Sequence, residues 1–386
     1  MINIHSLFGK TNFPFENFVL LSSFITTPII ESNLGLINPI PRSVHTNEIQ
    51  AALNYASENN VPLVWDKAVA TNNTLILKSN TYVYALYGKG CVMANGANRM
   101  MFRNEHVIFR ENSRIIDENI RFNGGVWNGN GLKQTIKIDE NGAVVIFGFF
   151  GVRNLHLQNH TMFLPKTYCQ QAINIQNGVV EDFIVDVGRN GAINMDGVHF
   201  DGWCNDCRIS RGVLNTYDDG VGCNADDLYY SNDYGGGAGK LFFYEDPCGP
   251  SSNIIFEDLH FDNSLFGVRI LSSHSRVDNI TIRNITGTTK DYAILIDNYW
   301  RKSNEIQNAS IGNIGTINVD NINIVVNRHL FSDSQDAVIS LSSSIENLIM
   351  TNVVENTGNV PTFAKLEGQG LNKYNYGNLV LNGVKV

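Results

Sequence analysis

Residues 215–227 read NTYDDGVGCNADD, which puts two adjacent aspartate pairs, Asp218-Asp219 and Asp226-Asp227, within one short stretch. A buried carboxylate is costly to keep charged, and neighbouring carboxylates raise each other's proton affinity. A pair of this kind can divide acid and base work, gather a cation, or sit solvated in a turn. A further carboxylate, Asp196, stands earlier in NMDGVHFDG (194–202), and a lone cation, Arg269, follows in LFGVRILSS (265–273). Whether these groups meet depends on the elements that carry them.

One phrase recurs along the chain: a small polar residue, alternating apolar positions, then Asn, Asp or Gly. It appears as ENIRFNGGVWNGNG (118–131), RNLHLQNH (153–160), EDFIVDVGRNG (181–191) and NDCRISRGVL (205–214). It returns as SNIIFEDLHFDN (252–263) and DNITIRNITG (278–287), with weaker echoes at 345–353 and 377–386. Period-2 alternation rich in Ile, Val and Leu reads as short strands, and the terminal Asn and Gly supply turns. Strands at near-regular spacing without helices between them predict an all-β solenoid, a right-handed parallel β-helix. A β-sandwich is the competing reading, but it calls for hairpin turns every 8 to 12 residues or so and no ladder of similar phrases.

Residues 45–60, HTNEIQAALNYASENN, place Ile49, Ala52, Leu53 and Ala56 on one helical face, with Thr46 as the expected N-cap. A solenoid exposes a hydrophobic end, so a capping helix at about 46–59 belongs there. Residues 1–44 then form an irregular N-terminal arm, and 45–386 a single β-helix domain with an inserted loop at about 224–252.

The formal charge of -9 leaves no basic stripe for nucleic acid and does not suit an anionic membrane surface. No run reaches the ~18 apolar residues of a membrane span. FVLLSSFITTPII (18–30) follows Pro14 and Glu16 without a basic start or a small-residue cleavage site, so no signal peptide is expected. The six cysteines are too few for a disulfide scaffold. Cys204 and Cys207 form a lone C-x2-C, read as packed thiols with at most one disulfide rather than a zinc site. No cofactor and no catalytic metal are expected; Asp226 and Asp227 shape a loop or, alternatively, hold calcium.

NMD, YDD and VRIL in this order resemble the polygalacturonase-like glycoside hydrolases, which are right-handed parallel β-helices. The family's signature runs N-T-D, G-D-D, G-H-G and R-I-K along successive coils, and the resemblance covers residues 45–300 or so. The wording TYDDGVGCNADD…GVRILSS is similar to bacteriophage tail-spike and appendage proteins, which degrade or only bind host surface polysaccharide. Two departures stand out. Residues 228–250, taken as the G-H-G coil, contain no histidine, and Leu271 replaces the R-I-K lysine. Galacturonan is therefore not the expected substrate, and His199 and His274 are candidate replacements for the missing imidazole.

Glycoside hydrolysis needs one protonated carboxyl and a second carboxylate. The resemblance implies Asp218 as general acid, with Asp196 and Asp219 holding the attacking water in an inverting reaction. Residues level on adjacent coils lie about 4.8 Å apart, so all three would share one outer patch. Both members of a DD pair reach one groove only at a strand end or bulge, which Gly220 permits. Arg269 would bind a sugar hydroxyl or acidic substituent, and Glu245 or Asp246 could supply a further carboxylate. Tyr217, Trp203 and Tyr244 are the expected sugar-stacking contacts, with His199 and His274 at the groove; Tyr229, Tyr230, Tyr234, Phe242, Phe243, Tyr299 and Trp300 are further aromatics of either groove or core. The resemblance implies a polysaccharide partner, a virion tail or extracellular setting, and association as a homotrimer. The alternatives are a non-catalytic glycan-binding adhesin and a polysaccharide lyase.

Overall fold

The computed structural model describes residues 15–36, 38–106, 115–139, 142–188, 194–226, 248–298, 311–327, 337–358, 360–365 and 373–386. Tyr229, Tyr230, Tyr234, Phe242, Phe243, Tyr244, Glu245, Asp246, Tyr299, Trp300 and Asp227 lie outside them. The chain forms a right-handed parallel β-helix. Its coils repeat one short strand and one long, bent strand. Asp196–Phe200 is followed by Asn205–Asn215, Asp219–Asn224 by Ser251–Ser264, Phe266–Leu271 by Val277–Thr289, and Ile294–Asp297 by Ile314–Val326. Each short strand pairs in parallel with the short strand of the next coil, and each long strand with the next long one.

Asparagine fixes the corners. Asn119, Asn154, Asn177, Asp206, Asn253 and Asn279 stand level on successive coils, all with φ between 51° and 61°. Left-handed backbone is costly for most L-residues but tolerable for Asn and Asp. The side chains then form a ladder: Asn177 donates to Asn154 at 2.8 Å, and Asn154 donates to Asn119 at 2.9 Å. A second left-handed corner runs through Asp182, Arg211, Asp258, Asn284, Asn321 and Asn352. Between corners, alternation sends one set of side chains inward. Val198, Val221, Val268, Ile294 and Ile339 stack as one fully buried row. Each such side chain contributes roughly 1.5–3 kcal/mol on burial.

The helix Thr46–Glu58 buries Ile49, Ala52, Leu53 and Ala56 against the N-terminal coils. Its N-cap is His45 rather than Thr46. Thr46 turns its hydroxyl to Thr71 at 3.0 Å and Asn72 at 2.8 Å, tying the helix to the first coil instead of capping it. Within the arm, Val19–Leu20 pairs in parallel with Leu63–Trp65 and extends the sheet beyond the helix. All six cysteines are free thiols, and Cys204 and Cys207 are both buried, so no disulfide joins them.

Candidate active site

The short-strand sheet carries the aspartates. His199 is level with Gly222 on the next coil, and the same register sets Asp196 beside Asp219. Asp196 and Asp219 are the first residues of their strands, two positions before the inward Val198 and Val221, and both are almost fully buried, at 3% and 0% exposure. The register brings the two together as expected, but as buried groups rather than on an exposed outer patch. The strand begins at Asp219, so Asp218 belongs to the preceding turn and is only half-buried. That placement lets both members of the pair serve one site. Asp218 Oδ2 accepts the backbone N–H of Asn194 at 3.0 Å. Burial, reinforced by the charge of Asp219, raises the Asp218 pKa to about 7, although Arg269 and His199 pull the other way.

The coil count differs from the sequence expectation. Strand Asp219–Asn224 pairs directly with Phe266–Leu271, so no strand of another coil stands between these two. The coil after the DD pair is therefore the one carrying Phe266, level with Asp219, and Arg269, level with Gly222. Leu265-Phe266-Gly267 occupies the G-H-G place, and the R-I-K place falls on Ile294–Asp297, where Leu295 is level with Arg269.

Arg269 is buried between two carboxylates. Its Nε and Nη2 donate to Asp297 at 3.2 and 2.8 Å, and Nη1 reaches Asp219 Oδ2 at 3.3 Å. Burial raises the Asp297 pKa, and the guanidinium partly offsets that rise. The residue expected to meet a sugar substituent thus holds the site's own aspartates.

His199 is completely buried and faces the same aspartates. Its Nε2 lies 3.7 Å from Asp196 Oδ2 and 3.9 Å from Asp219 Oδ2, and its Nδ1 lies 3.3 Å from Asp201 Oδ1. These Asp196, His199 and Asp219 atoms all fall within 4.8 Å of one another, a cluster whose donor types suit a cation. The Arg269 guanidinium at the same Asp219 oxygen already supplies positive charge, which disfavours a metal ion there. His274, by contrast, is exposed and uses its backbone N–H to reach Asp226 Oδ2 at 2.6 Å. Ser273 and Ser275 donate to that oxygen as well, at 2.7 and 2.8 Å, so Asp226 acts as a loop anchor.

Tyr217 is half-buried, with Lys290 Nζ 4.2 Å from its ring centroid. Trp203 is half-buried in the Asp196 coil with a left-handed backbone, and Gly249 is pressed against its indole ring. Sequence reasoning missed Asp201, Asp297, Phe266 and Tyr292. Half-buried Phe266 and buried Tyr292 are stacked, centroids 5.8 Å apart and planes 9° apart, continuing the register of Asp196 and Asp219 onto the next two coils. Only register reveals that row; no local motif marks it.

No family model matches the chain, and no curated protein matches it either. Solved structures do. An exopolygalacturonase from Thermotoga maritima aligns at TM-score 0.57 and 12% identity, over 96% of this chain and 93% of that one. The polygalacturonase from Erwinia carotovora ssp. carotovora gives 0.57 and 13%, over 92% and 98%. A Family 28 exopolygalacturonase from Yersinia enterocolitica gives 0.54 and 11%, over 96% and 79%. What this chain shares with those three enzymes is the fold, the right-handed parallel β-helix.

Proposed function

We propose that the chain is a glycoside hydrolase that cleaves a bacterial surface polysaccharide with inversion. The observation that carries this reading is the three-aspartate cluster: Asp196 and Asp219 level on adjacent coils, with Asp218 beside them at a pKa of about 7. A carboxyl that keeps its proton near neutral pH suits the general acid. Asp196 and Asp219 are the pair that orients and deprotonates water, on the opposite side of the scissile bond. Phe266, half-buried and backed by the buried ring of Tyr292, offers a flat apolar face for a sugar ring next to Asp219. Arg269 keeps Asp219 and Asp297 in place rather than contacting substrate. The similarity in wording to phage tail spikes supports a virion tail setting and a homotrimeric assembly.

The test is incubation with capsule, lipopolysaccharide and teichoic-acid preparations, recording reducing ends and unsaturated sugar for wild type and Asp218→Asn. New reducing ends that vanish in the variant support the reading. Unsaturated ends would replace it with a lyase, and tight binding without cleavage in both proteins would replace it with an adhesin.

A further inference from the structure

His199 has a surrounding that the hydrolase mechanism leaves unused. The groups facing its ring come from four strands and one turn. From its own strand comes Asp196 and from just past that strand's end Asp201, from the strand below Tyr168 and Gln171, and from the strand above Asp219 and Asn224. Asp218 stands in the turn before Asp219, and Arg269 lies beyond Gly222 with its guanidinium on Asp219 and Asp297.

Both ring nitrogens look onto acceptors. Asp201 Oδ1 is 3.3 Å from Nδ1, and Asp201 is itself fixed by the Asn224 backbone N–H at 3.1 Å and the Gln171 amide at 3.2 Å. The Asn224 side-chain amide lies 3.4 Å from the same nitrogen. Its Oδ1 has no hydrogen bond among the described residues; turned over, the amide would offer that oxygen to Nδ1–H as a second acceptor. On the other side, Nε2 points between Asp196 and Asp219. A neutral imidazole carries one N–H and would turn a lone pair toward carboxylate oxygen on one side or the other; an imidazolium satisfies both.

The neighbouring coil is built around this ring. A Cβ on Gly222 would lie 2.7 Å from His199 Cε1 and 2.9 Å from Nδ1, so glycine there leaves the space that the imidazole fills. We propose that His199, oriented by Asp201, is a fixed imidazolium that allows Asp196 and Asp219 to be ionised together. Two buried carboxylates this close would otherwise share a proton and lose the ability to activate water. His199 is a positioning residue, and the site so described contains the imidazole that the G-H-G place, held by Phe266, does not supply. The inference deepens the hydrolase reading and rests on it for the role of the carboxylates, but not for the charge on the ring.

The deciding measurement is a pH titration of the full chain labelled with 15N-histidine, followed by NMR, with His199→Gln used to assign one of the nine histidines. The expected result is an imidazolium at His199 through about pH 8, with its midpoint lowered by roughly one pH unit or more in an Asp196→Asn/Asp219→Asn variant. Asp201→Asn should lower it in the same direction. A neutral ring at pH 6, or a midpoint unmoved by the loss of both carboxylates, overturns the proposal. This arm needs no glycan, so it reads the same whether or not the chain proves to be a hydrolase. If a cleaved glycan is found, His199→Gln should shift the acidic limb of kcat upward by about one pH unit with KM changed less than about threefold. A lower kcat with that limb unmoved would mark His199 as packing only and also overturn the proposal.

Discussion

Arg269 grips Asp297 with two N–H groups and reaches Asp219 with a third, and all three side chains are buried. Removing one partner of a buried ion pair leaves an uncompensated charge, which costs about 3–5 kcal/mol. Arg269→Ala should therefore lower stability by that amount in urea unfolding. An Arg269→Ala/Asp297→Asn double variant should recover part of the loss. Equal stability of the two variants would show that Asp297 is already protonated without its partner.

The Asp218 carboxyl makes stability depend on pH in an unusual direction. Its proton is lost near 3.8 in the unfolded chain but near 7 in the fold. The folded state thus binds more protons across that window, so the contribution of this group falls as pH rises from about 4 to about 7 and is level above. Asp218→Asn removes the dependence and should be more stable than wild type at pH 8, by roughly 1–2 kcal/mol, with little difference at pH 4. In the same window, hydrolysis that uses Asp218 as acid should decline above pH 7 or so.

Phe266 and Tyr292 predict a binding effect. Phe266→Ala should raise KM for the cleaved glycan by about tenfold, the equivalent of roughly 1.4 kcal/mol of stacking, with kcat changed less. Phe266→Tyr should behave as wild type. A Phe266→Ala variant with unchanged KM would remove the stacked pair from the groove and leave it as packing.

The asparagine corner can be separated into its two contributions. Asn154→Gly keeps the left-handed backbone and deletes the ladder bonds to Asn119 and Asn177, which should cost about 1–2 kcal/mol. Asn154→Ala also forces a Cβ residue without a polar side chain into φ near 59° and should cost roughly 1 kcal/mol more. Equal losses in chemical denaturation would mean that the backbone conformation carries little of the preference.

Strands were legible because alternation within each phrase, together with the Asn that ends it, is a local signal: Leu155 and Leu157 read as inward in the sequence and are fully buried. The cap helix was legible for the same reason, down to its four buried residues, while its N-cap was displaced by one because Thr46 had a better partner in Thr71. The aspartate cluster could be named from motif order. Its surroundings could not, since they are set by register between coils. His199 reads as an ordinary groove histidine until Gly222 is found above it, and Phe266 carries no sign of standing beside Asp219. Motif order assigns the G-H-G coil to 228–250, whereas register puts Phe266–Leu271 directly after Asp219–Asn224.

That register makes the separation of Asp196 from Asp219 a repeat distance of the backbone, the same spacing that every coil keeps from the next. Most active sites assemble their groups from loops whose spread drifts with temperature and packing. Here the interval between the two carboxylates is held by a hydrogen-bonded lattice with further coils on both sides. On heating, the site should therefore keep its dimensions until the coils that bear it come apart, and then lose them in one step.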